Sequence, residues 1–299
     1  MRVLVVGGSG LIGAHAAAHL SALGHEVAVT SKSGGRKPPG LGGLRWLQLD
    51  YLDPDVDPAI FTGFDALVFC AGQDPRHANG RSDDRFWSEV NSIAVPRFFE
   101  LAKRAGVRRA INVSSFYPAV APHLIDSNAY VRSRNAADLG VSALASGGFA
   151  TINLQAPFVV GAVPGLERQS PFAVYLQYAR NELHDLEMFT PLGGTNFIAA
   201  ASVAEAVAGG LLRGVGGSSY LIGDENLSFR RFFEAFFASV GRETPPARNA
   251  EHPLMPDSVL LFGRGSELYY DPDPGVTKML GYRTEAAYRE LCRLTSALG

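Results

Sequence analysis

The chain has 299 residues, 46% of them hydrophobic and 19% charged, with 27 Lys and Arg against 29 Asp and Glu. That length is enough to bury about 75% of the unfolded surface, in one large domain or two interlocked ones. The even charge gives no field that would draw nucleic acid or an anionic membrane, and no uninterrupted apolar run reaches membrane length.

"MRVLVVGG" enters an apolar run at once with no leader-like segment before it, so the expected setting is the cytoplasm. Residues 2–6 read as a buried strand and 11–23 as a helix stopped by Gly24. Strands follow at "EVAVTS", "LRWLQLD" and "ALVFCAG". A helix over 86–105, a strand at "RAINVSS", a helix over 128–146 and a sixth strand at "ATINLQAPFVVG" complete the first half. The strands are apolar without alternation, which implies cover on both faces. Regular strand–helix alternation with short links implies α/β architecture, a doubly wound parallel sheet of Rossmann type.

After Gly161 the rhythm fails and Pro, Gly and aromatic residues become frequent. The expected division is a dinucleotide-binding domain over 1–161 and a smaller mixed α/β substrate domain over 162–299. The chain is expected to return to the first domain near 197–223. "SSYLIGDENLSFRRFFEAFFASVG" reads as strand, turn and amphipathic helix. Phe172, Tyr175, Tyr178, Phe189, Phe197 and the run from Phe232 to Phe237 have the spacing of inward-packing rings. Cys70 and Cys292 have neither disulfide-framework nor metal-type spacing, and Cys70 sits in an apolar run as a small buried hydrophobe. No metal site is expected.

The first strand-to-helix turn carries Gly7, Gly10 and Gly13. In that position the first glycine permits a tight turn and the second lets the backbone approach a pyrophosphate. The third allows close helix–strand packing, while the helix start at Leu11 and Ile12 offers oriented N–H groups and a positive dipole. The spacing is GxxGxxG, and its context directly between strand and helix points to dinucleotide binding. An NAD site carries an acidic residue about 20 residues further on to hold the ribose. Here no carboxylate occurs from Val27 through Lys37, whereas Ser31, Lys32, Ser33 and Arg36 suit a 2′-phosphate. NADP is therefore the expected cofactor, with NAD the alternative.

These motifs together resemble the extended branch of the short-chain dehydrogenase/reductase superfamily, the NAD(P)-dependent epimerase/dehydratase group. The resemblance runs through the glycine triplet, "LDYLD", "CAG", Val90–Asn91, "NVSS", the helix bearing Tyr130, "APFVVG", and the later "YLIGDENLSFRRFFEAFFASVGR" and "TKMLGY". It implies that Asp50 accepts from the adenine amino group with Tyr51 beside it, and that Ala71 and Gly72 line the cofactor cleft. Asn91 joins the cofactor side, and Pro157, Phe158 and Val159 border the nicotinamide. Ser115 would orient the substrate oxygen and Tyr130 would be the general acid/base. Asp50 read by itself also suits a turn former, and the Ser114–Ser115 pair a strand-terminal hydroxyl pair.

One position departs from the pattern. The family has Tyr-x3-Lys, and this chain has Tyr130-x3-Arg134, with no lysine between Lys103 and Lys278. Four residues apart on a helix, the two side chains share a face. A free tyrosine titrates near 10, and a neighbouring cation favours its phenolate. Arginine keeps that charge but is broader and does not release a proton onward. Two further departures are Gln155, where sugar-nucleotide enzymes of the family carry arginine, and Ala and Ser in "FIAAASVAEA" where Asp is usual.

The resemblance thus implies an NAD(P)-dependent oxidoreductase that passes hydride between nicotinamide and a secondary alcohol or ketone, with a small, rather apolar substrate like those of hydroxysteroid dehydrogenase and dihydroflavonol reductase relatives. The alternatives are a sugar-nucleotide epimerase or dehydratase, which would need an arginine cluster drawn from Arg168, Arg180, Arg230 and Arg231, and a non-catalytic NADP-binding sensor. Homodimer formation through the helices at 86–105 and 128–146 is expected from the resemblance.

Overall fold

The computed structural model describes residues 1–32, 37–75 and 83–298. Its first half supplies β1 (Arg2–Val6), α1 (Leu11–Ala22), β2 (Glu26–Ser31), β3 (Arg45–Gln48) and β4 (Ala66–Phe69). There follow α2 (Asp84–Trp87), α3 (Ala94–Arg104), β5 (Arg109–Ser115), α4 (Tyr117–Val120), α5 (Leu124–Ser127), α6 (Ala129–Ala143) and β6 (Ala150–Ala156). The second half supplies β7 (Phe158–Val160), α7 (Ala173–Ala179), β8 (Thr190–Pro191), β9 (Gly194–Ala199), α8 (Ala200–Arg213) and β10 (Ser218–Leu221). It ends with β11 (Glu225–Ser228), α9 (Phe229–Ser239), β12 (Ala247–Arg248), β13 (Glu267–Leu268), α10 (Pro274–Leu280) and α11 (Ala287–Leu298).

Seven of these strands form one sheet in the order β10-β6-β5-β4-β1-β2-β3, every pair parallel. The strand order reverses direction beside β1, between β2 and β4, and ligands of open α/β sheets bind at such a switch point. Both faces are covered. Val3, Val5, Val29, Ala14 and Ala17 pack with Val203 and Val207 of α8 on one side. Leu4, Phe61, Phe69, Phe98 and Phe99 pack with Val141 of α6 on the other. Each fully buried phenylalanine there contributes roughly 1.5–3 kcal/mol.

The sixth strand read from the sequence is two strands in two sheets. Proline has no N–H to donate to a ladder, and at Pro157 the chain leaves the main sheet. β6 remains between β5 and β10, while β7 pairs with β9 in a second sheet of order β11-β9-β13. The helix expected over 86–105 is likewise divided, by a π turn at Ser88–Ile93. Pro96 lies just beyond it; it has no N–H to donate to the residue four back and its ring crowds that carbonyl, so the wider turn relieves the clash.

The second sheet and α7, α9 and α11 enclose their own core of Leu176, Tyr178, Phe229, Phe232, Phe233, Phe236 and Leu291. Phe189, Phe197 and Tyr178 are buried with them, as the sequence spacing predicts. The chain rejoins the main sheet through α8 and β10, whereas β9 belongs to the second sheet. Cys70 packs against the first core, and burial pushes its thiol up to about 12. Among the described residues no helix is long and apolar enough to cross a membrane.

Candidate active site

The loops after β1 and β4 lie side by side at the carboxyl edge of the sheet. Gly7 has φ +85°, and a Cβ on it would stand 3.0 Å from the carbonyl oxygen of Cys70. The Gly10 N–H closes the turn on the Gly7 carbonyl at 3.0 Å, and Gly10 is the extended N-cap of α1. A Cβ on Gly13 would lie 2.2 Å from that same Gly7 oxygen, so only glycine fits there. The N–H groups of Leu11, Ile12 and Gly13 have no acceptor within the helix, and no acidic side chain occupies its first turn. The cradle fits an anionic diphosphate, with the backbone as the ligand.

Further along the edge, Ser31 ends β2 and its carbonyl accepts from Leu49 N–H at 3.0 Å. Lys32 and Asp50 meet in an ion pair of 2.9 Å, and Asp50 Oδ1 also accepts from Leu52 N–H at 3.1 Å. Asp50 is thus both a turn former and the partner of a cation assigned to the cofactor. Arg36 and Ser33 lie outside the described residues. Tyr51 turns inward: its hydroxyl donates to Val90 O at 3.1 Å and its ring meets Phe69 edge-on at 5.0 Å. Burial pushes that phenol up to about 12, against the opposing pull of the Gln73 hydrogen bond and the Arg134 charge. Tyr51 shapes the floor of the edge and presents no side chain to its rim.

Asn91 sits in the π turn, fully buried, and donates to Ser133 Oγ at 3.1 Å and Gln73 O at 3.3 Å. Ser133 Oγ in turn donates to Tyr130 O at 2.8 Å. The chain after β4 is thereby tied to α6 at the turn that carries Tyr130. Asn128 caps that helix by accepting from Val131 N–H at 3.1 Å. Tyr130, Arg134 and Asp138 fall four residues apart on the inner face and are all buried.

Ser115 ends β5, 7% exposed like Tyr130, and its hydroxyl faces the Tyr117 N–H at 3.4 Å. The Tyr130 ring packs edge-on against Trp87 at 5.0 Å, in a cluster with Phe86, Phe116, Tyr117 and Val131. Phe158, just past Pro157, closes on Phe116, and Tyr270 stacks obliquely on the same ring. Val159 is half-buried in β7. The sequence reading missed Trp87 and Tyr270, one four residues before Asn91 and the other from a distant loop; neither has a local motif.

The guanidinium of Arg134 donates to Val113 O at 3.2 Å and lies against Gly72, while its Nε has no partner among the described residues. Its charge opposes the effect of burial on Tyr51 and on Asp138. Asp138 accepts from Asn112 at 3.1 Å and from Gln155 at 2.9 Å, and burial holds its carboxyl above the usual range. Gln155 is therefore engaged beneath α6. The signal for Asp138 was present in the sequence as a third polar residue on an otherwise inward face.

The second half offers few free cations to this edge. Arg180 pairs with Glu182, Arg248 with Glu187, Arg264 with Asp257 and Arg283 with Glu205. Arg231 pairs with Glu234 and lies 3.7 Å over the Tyr288 ring. Arg168 and Arg230 are exposed. A depression of about 790 Å³ lined by Glu205, Asp224, Lys278 and Tyr282 shares no residue with the site. Asp224 there is committed to the backbone N–H groups that open α11.

No curated protein matches the chain by sequence. Among solved structures it is similar to the dTDP-glucose 4,6-dehydratase DesIV from Streptomyces venezuelae, with TM-score 0.75 and 22% identity over 99% of this chain and 96% of that one. It is similar also to a UDP-glucose-4-epimerase from Stenotrophomonas maltophila, with TM-score 0.76 and 18% identity over 100% and 97%. The enzyme WbmH from Bordetella bronchiseptica matches at TM-score 0.72 and 16% identity over 99% and 97%. At these identities the likeness is one of fold. The profile of the NAD dependent epimerase/dehydratase family matches residues 3–223, spanning the glycine cradle, the Tyr130 helix and the return through β10. The chain belongs to the NAD dependent epimerase/dehydratase family.

Proposed function

We propose that the protein is an NADP-dependent oxidoreductase acting on a secondary alcohol or ketone in an apolar molecule. A nicotinamide dinucleotide supplies two-electron redox chemistry when bound; the solved relatives named above were determined with NAD. The backbone from Gly7 to Gly13 would hold the diphosphate, Ser31, Lys32 and Arg36 the adenosine end, and Ala71, Gly72 and Asn91 the face toward α6. Asp50 would serve the adenine after parting from Lys32. That exposed pair is worth only about 0–1 kcal/mol, so its exchange for a phosphate is cheap.

On the substrate side, Ser115 orients the oxygen by hydrogen bonding and Tyr130 moves its proton. Arg134 supplies positive charge one turn below the phenol and, unlike lysine, passes no proton onward. Pro157, Phe158 and Val159 exclude water from the nicotinamide side. The observation that carries the reading is the wall around Tyr130, where Trp87, Phe116, Tyr117, Phe158 and Tyr270 pack in one aromatic cluster. Such a wall suits a hydrocarbon-rich carbonyl compound.

A second reading, transient oxidation of a nucleotide sugar, is favoured by the family match and by the dehydratase and epimerase likenesses. A third, a redox-sensing NADP-binding protein, needs only the cradle. Purified protein given NADPH with a ketone panel, then NADP with the alcohols, separates them by absorbance of the reduced nicotinamide. Turnover that collapses in Tyr130→Phe supports the first reading. Conversion of a nucleotide sugar with no net absorbance change selects the second, and binding without turnover the third. We place the protein in the cytoplasm as a homodimer. Ile93 and Leu139, 58% and 64% exposed on the two helices named for pairing, support that assembly.

A further inference from the structure

Gly72 is not in the left-handed region, so its backbone would accept an alanine without conformational strain. The obstacle lies elsewhere. A Cβ at this position would stand 2.3 Å from Nη1 of Arg134, 3.2 Å from Cζ and 3.4 Å from Nη2. Its three nearest neighbours are thus all atoms of one side chain.

That side chain has little room to step aside. Arg134 is 6% exposed, and Nη2 is anchored on the Val113 carbonyl at 3.2 Å. Tyr51 and Asp138 both feel its charge. Moving the guanidinium far enough to admit a methyl group would break the Val113 bond and leave a cation buried with still fewer acceptors, which is costly. A lysine at 134 would differ in a defined way. Its chain ends with Nζ where arginine has Cζ, so the atom at 2.3 Å would not exist and the closest approach would be about the 3.2 Å of Cζ.

We propose that Gly72 is a positioning residue for Arg134: its bare Cα is the socket that admits a guanidinium at the tyrosine-plus-four position. Residues 72 and 134 act as one steric pair, and the arginine variant of this site requires the glycine. The inference rests on the reading that Arg134 serves a dinucleotide site, but its steric half stands independently.

Four proteins test it: the parent, Gly72→Ala, Arg134→Lys and the double variant. Each is titrated with NADPH and NADH by fluorescence and unfolded in urea without nucleotide. In the parent background Gly72→Ala is expected to weaken nucleotide binding at least tenfold and to lower the urea midpoint. In the Arg134→Lys background the same change is expected to alter binding less than threefold and leave the midpoint nearly unmoved. Equal penalties in both backgrounds overturn the proposal, as does an alanine tolerated in both. If the parent binds neither nucleotide, the functional reading fails. The urea midpoints still decide the steric pair, since a loss confined to the arginine background upholds it and an equal loss refutes it.

Discussion

Two aromatic clusters meet at Phe158 of β7, and their difference separates a core from a site. Beside α9, Tyr178, Phe189 and Phe233 pack edge-to-face about His252, a histidine 1% exposed that uses both ring nitrogens. Nδ1 accepts from Leu254 N–H at 3.1 Å and Nε2 faces Phe189 O at 3.2 Å. Around Tyr130, the rings of Trp87, Phe116 and Tyr117 adjoin a serine at a strand end. Nearby, Arg134 Nε and Asn91 Oδ1 are buried without partners among the described residues. Aromatic content is alike in the two clusters. What distinguishes them is that the polar ring atoms of His252 are paired, whereas a guanidinium nitrogen and an amide oxygen beside Tyr130 are not.

The sharpest break of this comparison is Tyr130→Phe. Turnover is expected to fall by about 10²- to 10⁴-fold, as for loss of a positioned acid/base, with the urea midpoint nearly unchanged. A large loss of stability with turnover intact would make this cluster a second core. The reverse holds for Phe233→Ala, which empties a fully buried position. It is expected to cost about 3–5 kcal/mol of unfolding free energy by urea titration and to leave turnover per folded molecule unaltered.

Next in size is a pH effect confined to the α9 core. Burial lowers His252 from 6.5 to about 4, against the opposing pull of the Phe189 carbonyl. The unfolded chain therefore takes up this proton first. The stabilisation is complete above pH 6.5, declines as pH falls, and is lost below about 4, amounting to about 3 kcal/mol. Urea unfolding between pH 7 and 4 is expected to show that slope in the parent and to lack it in His252→Gln. Identical slopes would remove His252 from the account. The smallest effect concerns the adenosine end. Lys32→Ala combined with Arg36→Ala is expected to reduce NADP affinity about fivefold, an exposed-charge magnitude, while NAD affinity stays level. An unmoved preference would reject the NADP assignment.

Reading by sequence succeeded where backbone alone makes the structure. The glycine cradle was legible because Gly7, Gly10 and Gly13 are within one turn of each other, and their need is steric and local. The parallel sheet was legible because each strand carries its burial pattern in its own four to seven residues. The shared face of Tyr130 and Arg134 followed from helical spacing, and both are buried on it.

Other features depended on partners far away in the chain. Pro157 was quoted within one strand, yet only the presence of β9 turns it into a passage between sheets. Gln155 looked like a loss on the substrate side and is engaged with Asp138. Tyr51 was paired with Asp50 by adjacency, but in the turn beyond β3 the Tyr51 ring packs inward on Phe69 while Asp50 stays half-buried at the edge. Lys32 and Asp50, assigned to different parts of a cofactor, hold each other across neighbouring strand ends.

Periodicity and glycine placement by themselves determined the layers, the cradle and the face on which Tyr130 stands, because those are properties of short stretches of backbone. Tertiary structure alone decided where Arg134 points, what Asp138 balances and which rings surround the phenol. Side-chain direction is selected by atoms brought in from other elements, and no local pattern records them.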